Sequence, residues 1–434
     1  MINAEYNVLI FPCGTEIANE ILASIQHHKY FKPVLANSEE ISFCSFRNDH
    51  VFFLPHVDKK NFIEKLNRLI LEQRIDFIIP AHDDVALELS LKEKEILAKI
   101  IGQPAEVNKI VRFKDKTYDF FKKIIPVPKV LNILSENFSY PIFVKPKRGQ
   151  GSNNSFKIVS DIQLEYFKQN YFTDDFVFME YLPGKEFTVD CFSDNGKVLF
   201  VGGRERQKTI KGISSMSSLV GDPILNKQFE EYAQKISEKL HLHGLWFFQL
   251  KEDAKNNLKL LEIGPRVSGT MMLNRMRGIN FVELSLYQKL GKPVEVIINH
   301  LNNLSVARYL APIFKSNIEY KNLYVDFDDT LVFENKKINS KLMMLIFQAI
   351  NEGKHVYLIS KHKDNQLEAL LRRFGIQDVF QDIILLNDRQ KKSDFIKNNS
   401  ILIDDSFAER KQAIINGIPS FDITEIDILL KNFL

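Results

Sequence analysis

The sequence predicts a multidomain protein of mixed α/β and α+β class, and three observations predict it. Strand-length apolar runs alternate with amphipathic helices through the N-terminal region. A middle region carries a lysine-ended strand with a basic glycine loop and, well downstream, a strand holding a glutamate. Near the C-terminus an apolar strand runs straight into paired carboxylates.

Val8–Phe11 reads as a strand and Pro12-Cys13-Gly14-Thr15 as a turn. Glu16–Gln26 then reads as a helix with Ile17, Ile21, Leu22 and Ile25 on one face. Asp76–Pro80 is a second strand, and His82-Asp83-Asp84 caps the helix after it. This alternation argues for a small parallel sheet, a first domain over residues 1–105.

Residues 106–312 carry the next set of signals. In Val144-Lys145-Pro146-Lys147-Arg148-Gly149-Gln150-Gly151-Ser152 a lysine closes an apolar strand and a glycine loop follows. Glycine lets the backbone come close, so that successive N–H groups face phosphate oxygens. Leu261-Glu262-Ile263-Gly264-Pro265-Arg266 offers a carboxylate for a divalent metal and a cation for a transferring phosphoryl group. Phe113-Lys114-Asp115-Lys116, Phe178–Glu186 and Trp246-Phe247-Phe248-Gln249-Leu250 complete the set in chain order.

Together these segments resemble the ATP-grasp superfamily, in its carbamoyl-phosphate-synthase-like branch, over residues 1 to 310. The resemblance implies a preceding α/β domain that helps form the acceptor site, a two-lobed ATP-grasp fold, and ATP and Mg²⁺ as cofactors. It places Lys116, Lys145, Gly149, Gly151 and Ser152 at the phosphates. It sets Glu180 at the start of the adenine-reading hinge and Glu186 on the ribose hydroxyls. Gln249 and Glu262 become metal ligands, and Arg266 the cation at the reaction centre. The sequence departs from the pattern at Gly264, where many members carry Asn, and at Gln249, a neutral donor. The first removes a side-chain oxygen from the metal site and the second a negative charge.

Gly202–Gly212, basic and short of apolar residues, reads as a solvated loop or as a lid that closes Arg204 or Arg206 on the substrate. In Asn274-Arg275-Met276-Arg277-Gly278 the arginines either grip a substrate anion or lie on the surface. Pro312–Lys321 is the expected linker to a last domain over 321–434.

That domain opens with Leu323-Tyr324-Val325-Asp326-Phe327-Asp328-Asp329-Thr330-Leu331, carboxylates at a strand end, where open α/β sheets place their chemistry. Val356–Ser360 ends in a hydroxyl, Lys391-Lys392 starts an expected helix over Ser393–Asn398, and Ser400–Ile403 leads into Asp404-Asp405. The ordered set resembles the haloacid-dehalogenase (HAD) phosphohydrolase superfamily. The resemblance implies Asp326 as nucleophile, Asp328 as general acid and base, and Ser360 and Lys392 on the phosphoryl oxygens. It implies Mg²⁺ held among Asp326, Asp328, Asp404 and Asp405. The intervals between motifs are too short for a folded cap, so a capless HAD Rossmann-like domain is expected.

The 434 residues suffice for several hydrophobic cores, and 45% hydrophobic with 26% charged residues fits a soluble enzyme. A net charge of +3 gives no argument for nucleic acid or membrane. Cys13, Cys44 and Cys191 make no metal motif and read as buried thiols of a reducing, cytoplasmic protein. The ten histidines show no zinc spacing, and no targeting segment is evident. The leading expectation is a ligase joining a small-molecule carboxylate to an amine, fused to a phosphatase, with a homodimer as default. A small-molecule kinase and a nucleotide sensor controlling the phosphatase are the alternatives.

Overall fold

The computed structural model describes residues 5–47, 50–134, 137–149, 151, 154–210, 212–299, 301, 303–362 and 367–431. The chain divides into two compact units between Ala311 and Pro312.

The first unit opens with a five-stranded parallel sheet in the order Val51–Phe53, Phe31–Asn37, Tyr6–Phe11, Ile75–Pro80, Lys99–Ile100. Its central strand Tyr6–Phe11 turns into the helix Glu16–Ile25, where Thr15 Oγ1 accepts from the Ala18 amide at 3.1 Å. The helix buries Ile17, Ile21, Leu22 and Ile25, the face its apolar spacing defines. Helices Ala105–Val111 and Lys114–Phe121 then lead into a small antiparallel sheet, Phe156–Ile158, Ile142–Pro146 and Phe176–Glu180.

A six-stranded antiparallel sheet follows, ordered Leu258–Gly264, Gly244–Glu252, Glu186–Asp194, Lys197–Ile210, Ile213–Leu219, Ser305–Ala307. Helix Pro223–Leu240 buries Phe229, Ala233 and Ile236 in one core with Val189, Trp246 and Phe248 of that sheet. Another core joins Ile10, Ile79 and Ile21 of the N-terminal layer to Phe192, Phe247 and Met271. The N-terminal layer is thereby fixed against the strands that carry the site.

One expectation changes here, and two readings gain detail. The segment from Gly202 to Ile210 is part of a 14-residue strand, paired with Ile213–Leu219, and not a loop. Its polar side chains hide a strand from a search for apolar alternation. Arg275 pairs with the buried Glu20 at 2.7 Å, and Arg277 donates to Asn274 Oδ1 at 3.0 Å. Cys13 and Cys44, distant in sequence, bring their sulfurs to 2.8 Å in the core.

The second unit is a five-stranded parallel sheet ordered Asp382–Leu385, His355–Ser360, Asn322–Val325, Ser400–Ile403, Ser420–Phe421. Helices Ser340–Asn351, Leu367–Arg373 and Phe407–Ile415 and a small hairpin, Val332–Phe333 with Lys337–Ile338, complete it. The expected helix over 393–398 is only a short 3₁₀ turn, Lys392–Phe395. No described helix is long and apolar enough to cross a membrane.

Candidate active sites

The first unit holds a cleft of about 390 Å³ lined from the N-terminal layer and from both antiparallel sheets. Phe143, Met179, Leu182 and Leu261 give it apolar surface, and Lys114, Lys145, Glu262 and Arg266 give it charge.

Lys145 closes the strand Ile142–Pro146 and is buried. Its Nζ lies 3.5 Å from the Leu261 carbonyl and 5.2 Å from the centre of the Tyr118 ring. Burial, reinforced by the nearby Lys114 ammonium, pulls its amine down to about 7. Lys114 donates to the Gly149 carbonyl at 2.9 Å, and Arg112 reaches the same oxygen at 3.2 Å. Gly149 and Gly151 both line the cleft, and Gly151 has φ of +63°, a conformation glycine adopts without cost. Ser152 lies outside the described residues.

Lys116 does not reach the cleft. It is exposed, with its Nζ over the Phe113 ring at 4.6 Å, whereas Lys114 lines the cleft. The two lysines open the helix Lys114–Phe121, and a two-residue offset turns a side chain by about 200°.

Antiparallel register sets Gln249 opposite Glu262, so both oxygen donors line the cleft. Two residues on, Gly264 faces Phe247, and a Cβ there would come within 2.3 Å of the Phe247 ring. The missing side chain at Gly264 is therefore tied to the aromatic ring that fills its place.

Arg266 has that ring at 5.3 Å and makes a two-point pair with Asp83, both contacts at 2.7 Å. Burial opposes ionisation of Asp83, but the guanidinium prevails and holds its carboxyl below the usual range. Asp84 receives Arg112 Nε and Arg148 Nε, each at 2.8 Å. The sequence reads His82-Asp83-Asp84 as a helix cap. His82 does cap, accepting from the Asp84 amide at 3.1 Å, and the two carboxylates also hold Arg148 of the glycine loop and Arg266. A separation of 183 residues hid the Asp83–Arg266 pair.

Glu180 turns its side chain to the Lys129 amide at 2.8 Å, while its neighbours Met179 and Tyr181 line the cleft. Glu186 lines it too, paired with Arg206 and, at 3.2 Å, with Lys251. Arg206 also donates to Gln249 Oε1 at 3.2 Å and to the Gly212 carbonyl. Arg204 is fully buried on Asp190, at 2.7 Å through Nε and through Nη2. Of the two arginines considered for a lid, Arg204 is held by Asp190 in the cleft wall and Arg206 spans the cleft.

In the second unit Asp326, Asp404 and Lys392 converge at the ends of the central strands. Lys392 Nζ donates to Asp326 Oδ1 at 2.5 Å and to Asp404 Oδ2 at 2.7 Å. Lys392 is buried whereas Lys391 is exposed. Burial pushes both carboxyls up, with the lysine opposing. Oxygens of Asp326, Asp404 and Asp405 lie within 4.8 Å of one another, a spacing suited to one hard divalent cation. Thr330 Oγ1 donates to Asp405 Oδ1 at 3.0 Å and takes the Asp405 amide at 2.9 Å, fixing that corner.

Asp328, expected among the metal ligands, does not bring its side chain into this cluster. Its carboxylate engages His362 Nδ1 at 2.8 Å, leaving Asp328 about half exposed. Nothing in the sequence singles out His362, since one histidine after a strand carries no motif. Ser360 is buried, and its Oγ accepts from the His362 amide at 3.2 Å.

A family model described as ATP-grasp in the biosynthetic pathway with Ter operon matches residues 172–310. No curated protein matches the sequence. Among solved structures, the biotin carboxylase domain dimer of Hydrogenobacter thermophilus 2-oxoglutarate carboxylase, with MgADP, ADP and bicarbonate, superposes at TM-score 0.58 and 16% identity. The match covers 70% of this chain and 73% of that one. The L-amino acid ligase of Bacillus licheniformis gives 0.54 and 19%, covering 68% and 76%. N5-carboxyaminoimidazole synthetase of Staphylococcus aureus with ADP gives 0.56 and 16%, covering 68% and 80%. Such coverage requires the first unit, which therefore has the fold of the ATP-grasp superfamily.

Proposed function

We propose that the first unit uses ATP to activate a carboxylate and joins it to an amine, and that the second unit is a HAD-type phosphohydrolase. The observation that carries the first half is one cleft gathering Lys114, Lys145, Glu262 and Arg266 beside apolar Phe143, Met179 and Leu182. The apolar side chains suit a purine and the cations suit polyphosphate. The similarity to structures solved with ADP supports the same reading.

In the proposed reaction a carboxylate oxygen bonds to the γ-phosphorus, the bond to the β-phosphate oxygen breaks, and ADP leaves. The amine nitrogen then bonds to the acyl carbon, phosphate departs and the nitrogen loses a proton. Gln249 and Glu262, which line the cleft, would be the oxygen donors for Mg²⁺, and the ion would neutralise phosphate charge when bound. Arg266, held by Asp83 and Phe247, is preorganised as the cation for the transferring group.

Trapping with hydroxylamine tests the acyl phosphate: with the right acid, ATP should give a hydroxamate and ADP in equal amounts. ADP without hydroxamate for every active acid would overturn the acyl-phosphate step.

Lys145 predicts a pH effect. Its amine is held near 7, below its unfolded value, so the charged form is penalised in the free protein. That cost is fully present below about pH 7 and disappears as pH rises toward the ordinary lysine range. A phosphate ligand restores the charged form. Calorimetry at pH 8 in buffers of different ionisation enthalpy should therefore show proton uptake when MgATP binds. Lys145→Met should remove that uptake.

For the second unit, a carboxylate oxygen of Asp326 bonds to the phosphorus of a phosphate ester as the alcohol leaves, protonated by Asp328. Water, giving a proton to Asp328, then bonds to phosphorus, and the bond to Asp326 breaks to release phosphate. The convergence of Asp326, Asp404 and Lys392 supports it. Fusion to the first unit suggests that it dephosphorylates the ligase's substrate or product. Asp326→Asn should then accumulate a phosphorylated product, and finding none would end the coupling idea.

A further inference from the structure

We propose that Glu16 seats the ammonium group of the second substrate, so that the nucleophile of the ligation is a cationic amine. The inference rests on the ligase reading.

Three carboxylates line the cleft among the described residues: Glu16, Glu186 and Glu262. Glu186 is neutralised by Arg206 and Lys251. Glu262 faces Gln249 as the oxygen-donor pair. Glu16 has neither role, and among the described residues its carboxylate makes no hydrogen bond or ion pair.

Its position is built. Glu16 begins the helix capped by Thr15, so its backbone is fixed at the end of the central N-terminal strand. Its Cγ lies 4.0 Å from where a Cβ on Gly269 would stand, beside Ser268 and Thr270 of the cleft wall. The two arginines that feel its charge, Arg266 and Arg308, are committed elsewhere. Arg266 is paired with Asp83, and Arg308 donates to the Gly269 carbonyl at 2.7 Å. A bare carboxylate beside Arg266 repels a second anion and attracts a cation. The substrate that attacks an acyl phosphate is an amine, charged until it reacts. In the proposed step the ammonium gives one proton to the Glu16 carboxylate and the freed lone pair bonds to the acyl carbon. The bond to the phosphate oxygen then breaks, and the nitrogen gives its second proton to the departing phosphate.

The test compares nucleophiles. Wild type and Glu16→Gln are supplied with ATP and the acid that gives most hydroxamate from a panel of L-amino acids. The nucleophile is hydroxylamine, uncharged near neutral pH, or one of the cationic amines methylamine, putrescine and the common L-amino acids. The amide-to-hydroxamate ratio should fall about tenfold or more in Glu16→Gln, through KM for the amine, the effect of one lost charge-assisted contact. Glu16→Asp should recover part of it. A ratio unchanged within about twofold overturns the assignment. An equal fall in both products overturns it too, by moving Glu16 to the acid or to the fold. If wild type forms no hydroxamate with any acid, the ligase reading itself fails.

Discussion

Asp326→Asn is expected to lower Mg²⁺-dependent hydrolysis of p-nitrophenyl phosphate by roughly a thousandfold or more, the scale of removing a covalent nucleophile. Asparagine keeps the shape of the side chain and one oxygen to accept from Lys392, which now donates to Asp326 Oδ1 and Asp404 Oδ2. It removes one of two carboxylates whose charged forms burial disfavours, so the fold should survive. Activity is lost because an amide oxygen does not attack phosphorus. ADP release by the first unit should be unaffected. Residual hydrolysis within about tenfold of wild type would assign the chemistry to another group.

Arg266→Met is expected to cost on the order of a thousandfold in ATP turnover while changing ATP affinity far less. The guanidinium is held on both sides, by Asp83 at two contacts of 2.7 Å and by the Phe247 ring, so little reorganisation is needed to meet developing charge. The variant also strands Asp83, whose side chain is only 15% exposed, and unpaired buried charges cost about 3–5 kcal/mol. The double variant Asp83→Asn/Arg266→Met separates the effects. It should recover stability in urea unfolding without recovering turnover. Turnover that returns with stability would make Arg266 a structural residue only.

The residues the sequence made legible sit on strands or just beyond them. Lys145, Gln249, Glu262 and Arg266 all line one cleft, register sets Gln249 opposite Glu262, and a strand reads plainly from its apolar run. Asp326 and Asp404 meet for the same reason, on adjacent parallel strands that pair Val325 with Ile403. The errors lie where phase or distance decides. Lys114 and Lys116 differ only in helical phase, which the sequence alone did not anchor. Asp83 and Arg266 share no local pattern, and the strand through Arg204 and Arg206 lacks the apolar alternation that marks a half-buried strand. The side chain of Asp328 turned to His362 instead of the carboxylate cluster because a buried histidine lay within reach, and nothing in its own motif announces that partner.

The Gly264 departure also has a physical reading. The glycine does not leave an empty coordination position, since Phe247 occupies that space. Restoring a donor there would require moving an aromatic ring that belongs to the core between the N-terminal layer and the large sheet.

The most direct test is ADP release by the Asp326→Asn protein, with ATP and Mg²⁺, against acids and amines offered singly and in pairs. A carboxylate–amine ligase should release ADP at its full rate only when an acid and an amine are both present, with one amide formed per ADP. ADP release with a single hydroxylated compound, or ATP binding without turnover for any pair, would contradict it.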